Sequence, residues 1–367
     1  TQWNDGKLII TQSDPFKRGL TWQQSFLVDA IYINKVENDG AEQTRITTTT
    51  IPVDMQGDKK EIALAKRPDY IVPNADGSGY GLFVFDNFDN IPLPTDDLRR
   101  FALAMNMYEN YLAHGIDAKS LSDTMHSWLK AENNALIASQ LVSYWGGAVS
   151  AMPDTDRHFQ EQQMWQEYRN ATIASVKQRL IRQLYNTVTD ESVTDSINVW
   201  ADKSDPLLSK TDYTQIAYRL AILKPQQWQK ILQKQRTRLS DADEIRQFDF
   251  ISRACTPDVD EQQRLFISLL KAENRRIEPW TASLLRLLND RTREPFNNRY
   301  LQPALDALLD VQRTGDIFFP GKWLSALLSG HHSKEARQIV ETFISQHPNY
   351  PDKLMNKIKE NAYTLTR

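Results

Sequence analysis

GSGYGLFVFDNFDNIPLPTDDLRRFALAMNMYENYLAHG, residues 77–115, holds the change of rhythm that decides the fold. Its first third alternates with a period of two, Tyr80, Leu82 and Val84 on one side and Phe83 and Phe85 on the other, as a strand does. Its last third repeats at steps of three and four through Leu98, Phe101, Ala102, Met105, Tyr108 and Leu112, the spacing of a helix with one apolar stripe. Between them the loop 86–95 is punctuated by Pro92 and Pro94. β structure is expected before this junction and α structure after it.

Upstream, strand-like runs recur between turn signals. LIIT at 8–11, Trp22 to Val36 (with Trp22, Phe26 and Val28 on one face), the β-branched Arg45 to Val53, Ile62 with Leu64, Tyr70 to Val72 and Tyr80 to Phe85 make six or seven short strands. DPFKRG at 14–19, ENDG at 37–40, QGDKK at 56–60 and NADGSG at 74–79 separate them. That spacing predicts a small β-sandwich over residues 1–88.

Downstream, Thr95 is expected to cap a first helix whose opening turn holds Asp96 and Asp97, where the helix dipole favours negative charge. Helices then follow one another to the end: His158 to Tyr185, Glu261 to Leu270, Trp280 to Leu288, Tyr300 to Gln312, Ser333 to Ile344 and Asp352 to Tyr363. Starts are marked at Asp205-Pro206, Lys224-Pro225, Glu278-Pro279 and Ser333. Short links make sequential helices antiparallel neighbours. No strict repeat period is visible. The expected fold is therefore α+β and multidomain: a β-sandwich, 1–88, then a large α-helical domain, 89–367, wound as an irregular, HEAT-like αα-superhelix.

The 367 residues carry 25% charged side chains and a net charge of -3. With a pI near 6.1 and a mean hydropathy of -0.56, the chain lacks the basic footprint of a nucleic-acid binder. Lys230 to Arg238 is a basic run set among acids, a solvated helix face. No stretch approaches the ~18 consecutive apolar residues of a membrane-spanning helix. A soluble protein is expected, with cytoplasm and periplasm both open because a single cysteine, Cys255, suits either. The first residues show no signal peptide, and a chain opening on Thr1 reads as a processed or truncated polypeptide.

Catalytic motifs are missing. H-E-x-x-H does not occur among the six histidines; His158 with Glu161 and His332 with Glu335 have i, i+3 spacing and read as surface pairs. GSGYG at 77–81 is a hairpin turn rather than a dinucleotide loop, since a strand follows it instead of a helix. DNFDNIPLPTDD at 86–97 lacks the glycine and glutamate of a calcium loop. Cys255 reads as a small buried side chain or free thiol. G-x-S-x-G and P-loop patterns are absent. One late stretch stands out: Arg291, Arg293 and Arg299 flank a turn, and TGDIFFPGKW at 314–323 is too apolar for an idle connection. The loop is expected to plug the end of the helical array. The arginines are the candidate substrate-binding residues, suited to a peptide carboxylate or a neighbouring acid.

Three stretches together carry a family resemblance: LIITQSDPFKRGLTWQQSFLVDAIYI (8–33), YIVPNADGSGYGLFVFDN (70–87) and LRRFALAMNMYENYLAHGIDAKSLSDTMHSWLKAENNALIASQL (98–141). The chain resembles the C-terminal half of the aminopeptidase N family of zinc metallopeptidases, with residue-level likeness over 6–145 and likeness of domain order throughout. Gly81-Leu82 departs from the Tyr-Arg of the commoner family hairpin and points to a divergent branch. The resemblance implies a β-sandwich and a helical domain that caps the active site and shapes the substrate chamber. It implies no catalytic or metal residue and no cofactor in this chain, the zinc and its ligands belonging to an upstream catalytic domain. The partners it implies are that domain and a peptide substrate.

The alternatives differ in class. A free-standing helical-repeat scaffold would bind a protein through a concave face, and its sandwich exterior should be polar. A segment that packs against a catalytic domain should instead expose apolar sandwich surface. A helical-barrel enzyme with paired carboxylates fits less well, because a β domain comes first and the helical pattern is irregular.

Overall fold

The computed structural model describes all residues except 39, 40, 86, 202–204, 366 and 367, and lacks side-chain description also for 37, 38, 41, 42 and 200. The ENDG turn at 37–40 and the start of the 86–95 loop therefore fall partly outside the described residues. Antiparallel sheets come first and α-helices follow, an α+β chain with a large helical part. It divides into two compact units, Thr1–Gln183 and Leu184–Arg367.

The first unit opens with β1 (Gln2–Asn4), β2 (Lys7–Thr11), β3 (Gln24–Asn38), β4 (Ala41–Met55), β5 (Lys59–Ala63) and β6 (Tyr70–Val72). They form two three-stranded sheets, ordered β1-β2-β5 and β4-β3-β6. Leu8 and Ile10 from the first sheet and Phe26, Val28, Ala30, Ile51, Val53, Met55 and Ile71 from the second bury into one shared core. Alternation on β3 and β4 builds that core, as a period of two requires.

Three β expectations need correction. β1 has no counterpart in the predicted strands. It exists because Asp5 (φ 46) and Gly6 (φ 76) make a two-residue turn that pairs Asn4 with Lys7, the geometry Asp-Gly favours. Trp22 lies outside β3 and is 41% exposed. Tyr80 to Phe85 forms no strand. The alternation there is real, with Phe85 buried and Tyr80, Leu82 and Val84 exposed, yet the Phe83 carbonyl is taken by Asn110 Nδ2 at 2.7 Å rather than by a neighbouring strand.

That donor lies on α1 (Asp97–Leu112), which Asp96, one residue beyond the expected Thr95, caps by accepting from Arg99 N at 3.0 Å. The helix buries Ala102, Leu103, Asn106, Met107 and Asn110 and leaves Leu98 57% exposed, a face turned from the predicted stripe. Asn106 Nδ2 donates to the Pro73 and Asn74 carbonyls at 3.0 and 3.1 Å. The two asparagines thus satisfy backbone groups that would otherwise be buried without partners. Arg99, also on α1, pairs with buried Asp29 of β3, to which Thr50 donates.

α2 (Ala118–Ala131), α3 (Ala135–Ser150) and α4 (Asp154–Asn170) follow as sequential neighbours. The single helix expected over His158 to Tyr185 is two, because the backbone turns extended at Ala171 (ψ 129) before α5 (Ala174–Thr187). At Gly146 of α3 an added Cβ would lie 2.0 Å from Gln183 of α5.

In the second unit α6 (Glu191–Trp200), α7 (Lys210–Leu223), α8 (Trp228–Arg236) and α9 (Ala242–Ser252) pack in sequence. Ser209 and Asp212 form a capping box at the start of α7. Beyond α9, packing between helices distant in sequence joins the sequential contacts. α10 (Val259–Leu269) precedes α11 (Glu278–Leu288), which lies on both α9 and α14 (Phe319–Leu328). Tyr300 to Gln312 is split between a 3-10 turn, α12 (Leu301–Asp306) and α13 (Leu308–Thr314). α12 packs on α15 (Lys334–Gln346), and α14 on α16 (Asp352–Asn361). The apolar TGDIFFPGKW stretch is a helix start rather than a loop: Phe319 and Trp323 are buried in α14, while Ile317 and Phe318 are exposed.

Candidate functional site

The three candidate arginines all lie in the short-turn segment after α11, and each has a different environment. Asp290 starts it, accepting from Thr292 N at 3.0 Å and pairing with Arg219 of α7. Burial opposes ionisation of Asp290, but Arg219 and Thr292 hold its carboxyl below the usual range. Arg291 opens a 3-10 turn and is half-buried. Arg293 Nη1 donates to the Ala254 and Leu287 carbonyls at 2.7 and 2.9 Å, closing the ends of two helical segments. Arg299 is exposed; its guanidinium lies 3.8 Å from the Phe296 ring centroid and donates to the Phe296 carbonyl. Glu294 accepts from the backbone N–H of His332 and Ser333 at 3.0 Å each. Burial works against its charge, yet the bonds from His331, Ser333 and His332 bring it down to about 2.

A second surface lies on the β part. Gln12 fixes the 12–23 loop, its Nε2 donating to the Trp22 carbonyl and its Oε1 accepting from Trp22 N, both at 3.0 Å. Gln24, beginning β3, accepts from Tyr80 N at 2.9 Å. These two segments, both tied to the start of β3, carry the exposed side chains of Phe16 (75% exposed), Leu20, Trp22, Tyr80 (92%) and Leu82. Arg18 stacks over Phe16 and pairs with Asp14, whose carboxyl is held down to about 2 chiefly by that arginine.

Among the described residues no group of three or more His, Cys, Asp and Glu could hold a metal ion. The surface-pair reading fails for His158 with Glu161, since Glu161 is fully buried beside Arg157, while Glu335 accepts from Asn298 Nδ2 at 2.8 Å. Cys255 is buried with Sγ 3.8 Å from the Tyr218 carbonyl, and burial pushes its thiol up to about 12, which makes it a packing group. An open groove of about 540 Å³ runs between α8 and α9 over Trp228 and Phe248, with Arg236 and Asp249 paired at its rim. No helix among the described residues is long and apolar enough to cross a membrane.

No protein-family model matches the chain, and no curated protein matches it in sequence. Among solved structures it is similar to Legionella pneumophila aminopeptidase A in complex with aspartic acid, at 11% identity and a TM-score of 0.44. The match covers 92% of this chain and 45% of that one, so this chain spans less than half of the other's length.

Proposed function

We propose that this chain is the non-catalytic C-terminal part of a zinc-dependent aminopeptidase, an enzyme that removes N-terminal residues from peptides. Its helices cap the active site and shape the substrate chamber; the zinc and its ligands belong to an upstream catalytic domain of the same polypeptide. By itself the chain hydrolyses nothing. The sequence resemblance over residues 6–145 supports this reading. The observation that carries it is the number of large apolar side chains left exposed on the β part, Phe16, Leu20, Trp22, Tyr80 and Leu82 among them. A free-standing scaffold has no use for such a surface there, whereas a domain packed on another does. Of the three candidate arginines, exposed Arg299 is the one proposed to meet a peptide's acidic groups, while the donors of Arg293 hold the Ala254, Leu287 and Thr256 carbonyls inside the fold.

Hydrogen–deuterium exchange on this chain and on the full-length protein as encoded tests the docking. Residues 14–24 and 78–84 should be protected only in the full-length protein. Equal exchange in both would remove the apolar surface as support and favour the scaffold.

A further inference from the structure

β4 is 15 residues long and lies at the edge of its sheet, whose order is β4-β3-β6. Successive residues of a strand turn their backbone N–H and C=O toward opposite edges. On β3 the odd residues turn away from β4: the Leu27 and Ile31 carbonyls accept from Ala75 N and Asp69 N, and Ile33 N donates to Asp69 Oδ2. The even residues of β3 therefore face β4, and the register that sets Ala30 against Thr49 and Tyr32 against Thr47 gives them odd partners. Thr44, Ile46, Thr48 and Thr50 are left with N–H and C=O aimed away from the sheet. Among the described residues nothing bonds to these backbone groups.

Natural sheet edges are usually blunted by lysine, proline, a bulge or a covering element. Residues 43–50 are all exposed and pair one to one with β3 without a bulge. They read QTRITTTT, β-branched at every position but Gln43 and Arg45, and Arg45 is their single charge. Pro52, which has no N–H to offer, blunts the edge just beyond them.

We propose that this edge pairs with the same edge of a second copy of the chain, antiparallel about a two-fold axis at Thr47, joining the two β4-β3-β6 sheets into one. The outward residues are symmetric about that axis. Thr44 faces Thr50 of the second copy and Ile46 faces Thr48 of the second copy, and each such pair exchanges two backbone bonds. Every outward group from 44 to 50 is used, and the pairing stops short of Pro52. At the alternate positions Arg45 meets Thr49 of the second copy and Thr47 meets its own equivalent. No like charges oppose one another, and threonine pairs, favourable across strands, line the seam. A foreign strand would have to bring that complementarity; this edge has it for itself.

Sedimentation equilibrium, on this polypeptide and on the full-length protein as encoded, between about 1 μM and about 100 μM, should show a dimer in both. Thr48→Pro removes an outward N–H that β3 does not use and should weaken the dimer at least about tenfold, while Thr48→Val should leave it near native. Thr47→Cys is the second variant, needed if the proline variant does not fold. The self-facing pair is of the non-hydrogen-bonded kind, with Cα atoms ~4.5 Å apart, within reach of a disulfide. Mild oxidation should link Thr47→Cys into a covalent dimer and leave Thr44→Cys unlinked, buried Cys255 taking no part. A monomer in either protein across the range would overturn the proposal and leave the edge to a foreign strand. A dimer as tight in Thr48→Pro as in the native chain, or equal linking from positions 44 and 47, would also overturn it.

Discussion

Arg293 and Arg299, six residues apart in the sequence, show how one residue type divides between structure and surface. Arg293 closes helix ends by donating to the Ala254 and Leu287 carbonyls. Arg293→Met should cost about 3 kcal/mol, because buried carbonyls lose a charged donor; chemical denaturation measures it. Arg299→Ala removes an exposed stacking contact and should cost less than ~1 kcal/mol. Glu294 sets an acid limit. Its carboxyl, depressed from 4.5 to about 2 in the fold, stabilises the native state above the unfolded value, and that contribution is lost as pH falls through the folded one. Thermal melts between about pH 5 and about pH 2 should therefore be less pH-dependent in Glu294→Gln than in the native chain.

Elements were legible where periodicity alone determined them. β3, β4, α10, α11, α15 and α16 lie where alternation or helical spacing placed them, and Ser333 caps α15 as expected. The errors come from polar groups with buried work. Asn106 and Asn110 belong to the packed face of α1 because they bind the carbonyls of Pro73, Asn74 and Phe83. An apolar count cannot register that, so it places the stripe on a rotated face and makes residues 80–85 a strand. Asn106→Leu should cost about 2 kcal/mol by orphaning two carbonyls, despite its greater apolarity. The Asp5-Gly6 hairpin was visible in the dipeptide itself. Gly330 records a contact that no local pattern carries: an added Cβ would fall 1.7 Å from the Asn289 carbonyl oxygen. Gly330→Ala must push the end of α11 away, and a loss of roughly 3 kcal/mol is expected in the same denaturation assay.

At the scale of the molecule, the order of β part and helices was readable from the junction at 77–115, while packing among the last helices was not. α11 on α14, α12 on α15 and α14 on α16 are pairings between segments far apart in sequence, and short links predict only neighbours. The candidate arginines stand as a cluster in the sequence; Arg299 meets nearby Phe296, but the Ala254 carbonyl that Arg293 reaches lies 39 residues away and leaves no local signal. Trp22 and Tyr80 belong to this scale as well. Replacing both with Lys should change the stability of this chain by less than ~1 kcal/mol, since both are substantially exposed, yet weaken its packing against a catalytic domain. The most direct test of the proposed role is zinc content and aminoacyl-amide hydrolysis, measured on this polypeptide and on the full-length protein as encoded. A silent, zinc-free short chain beside an active, zinc-loaded long one is the predicted result; hydrolysis with stoichiometric zinc in the short chain, or silence in both, would contradict it.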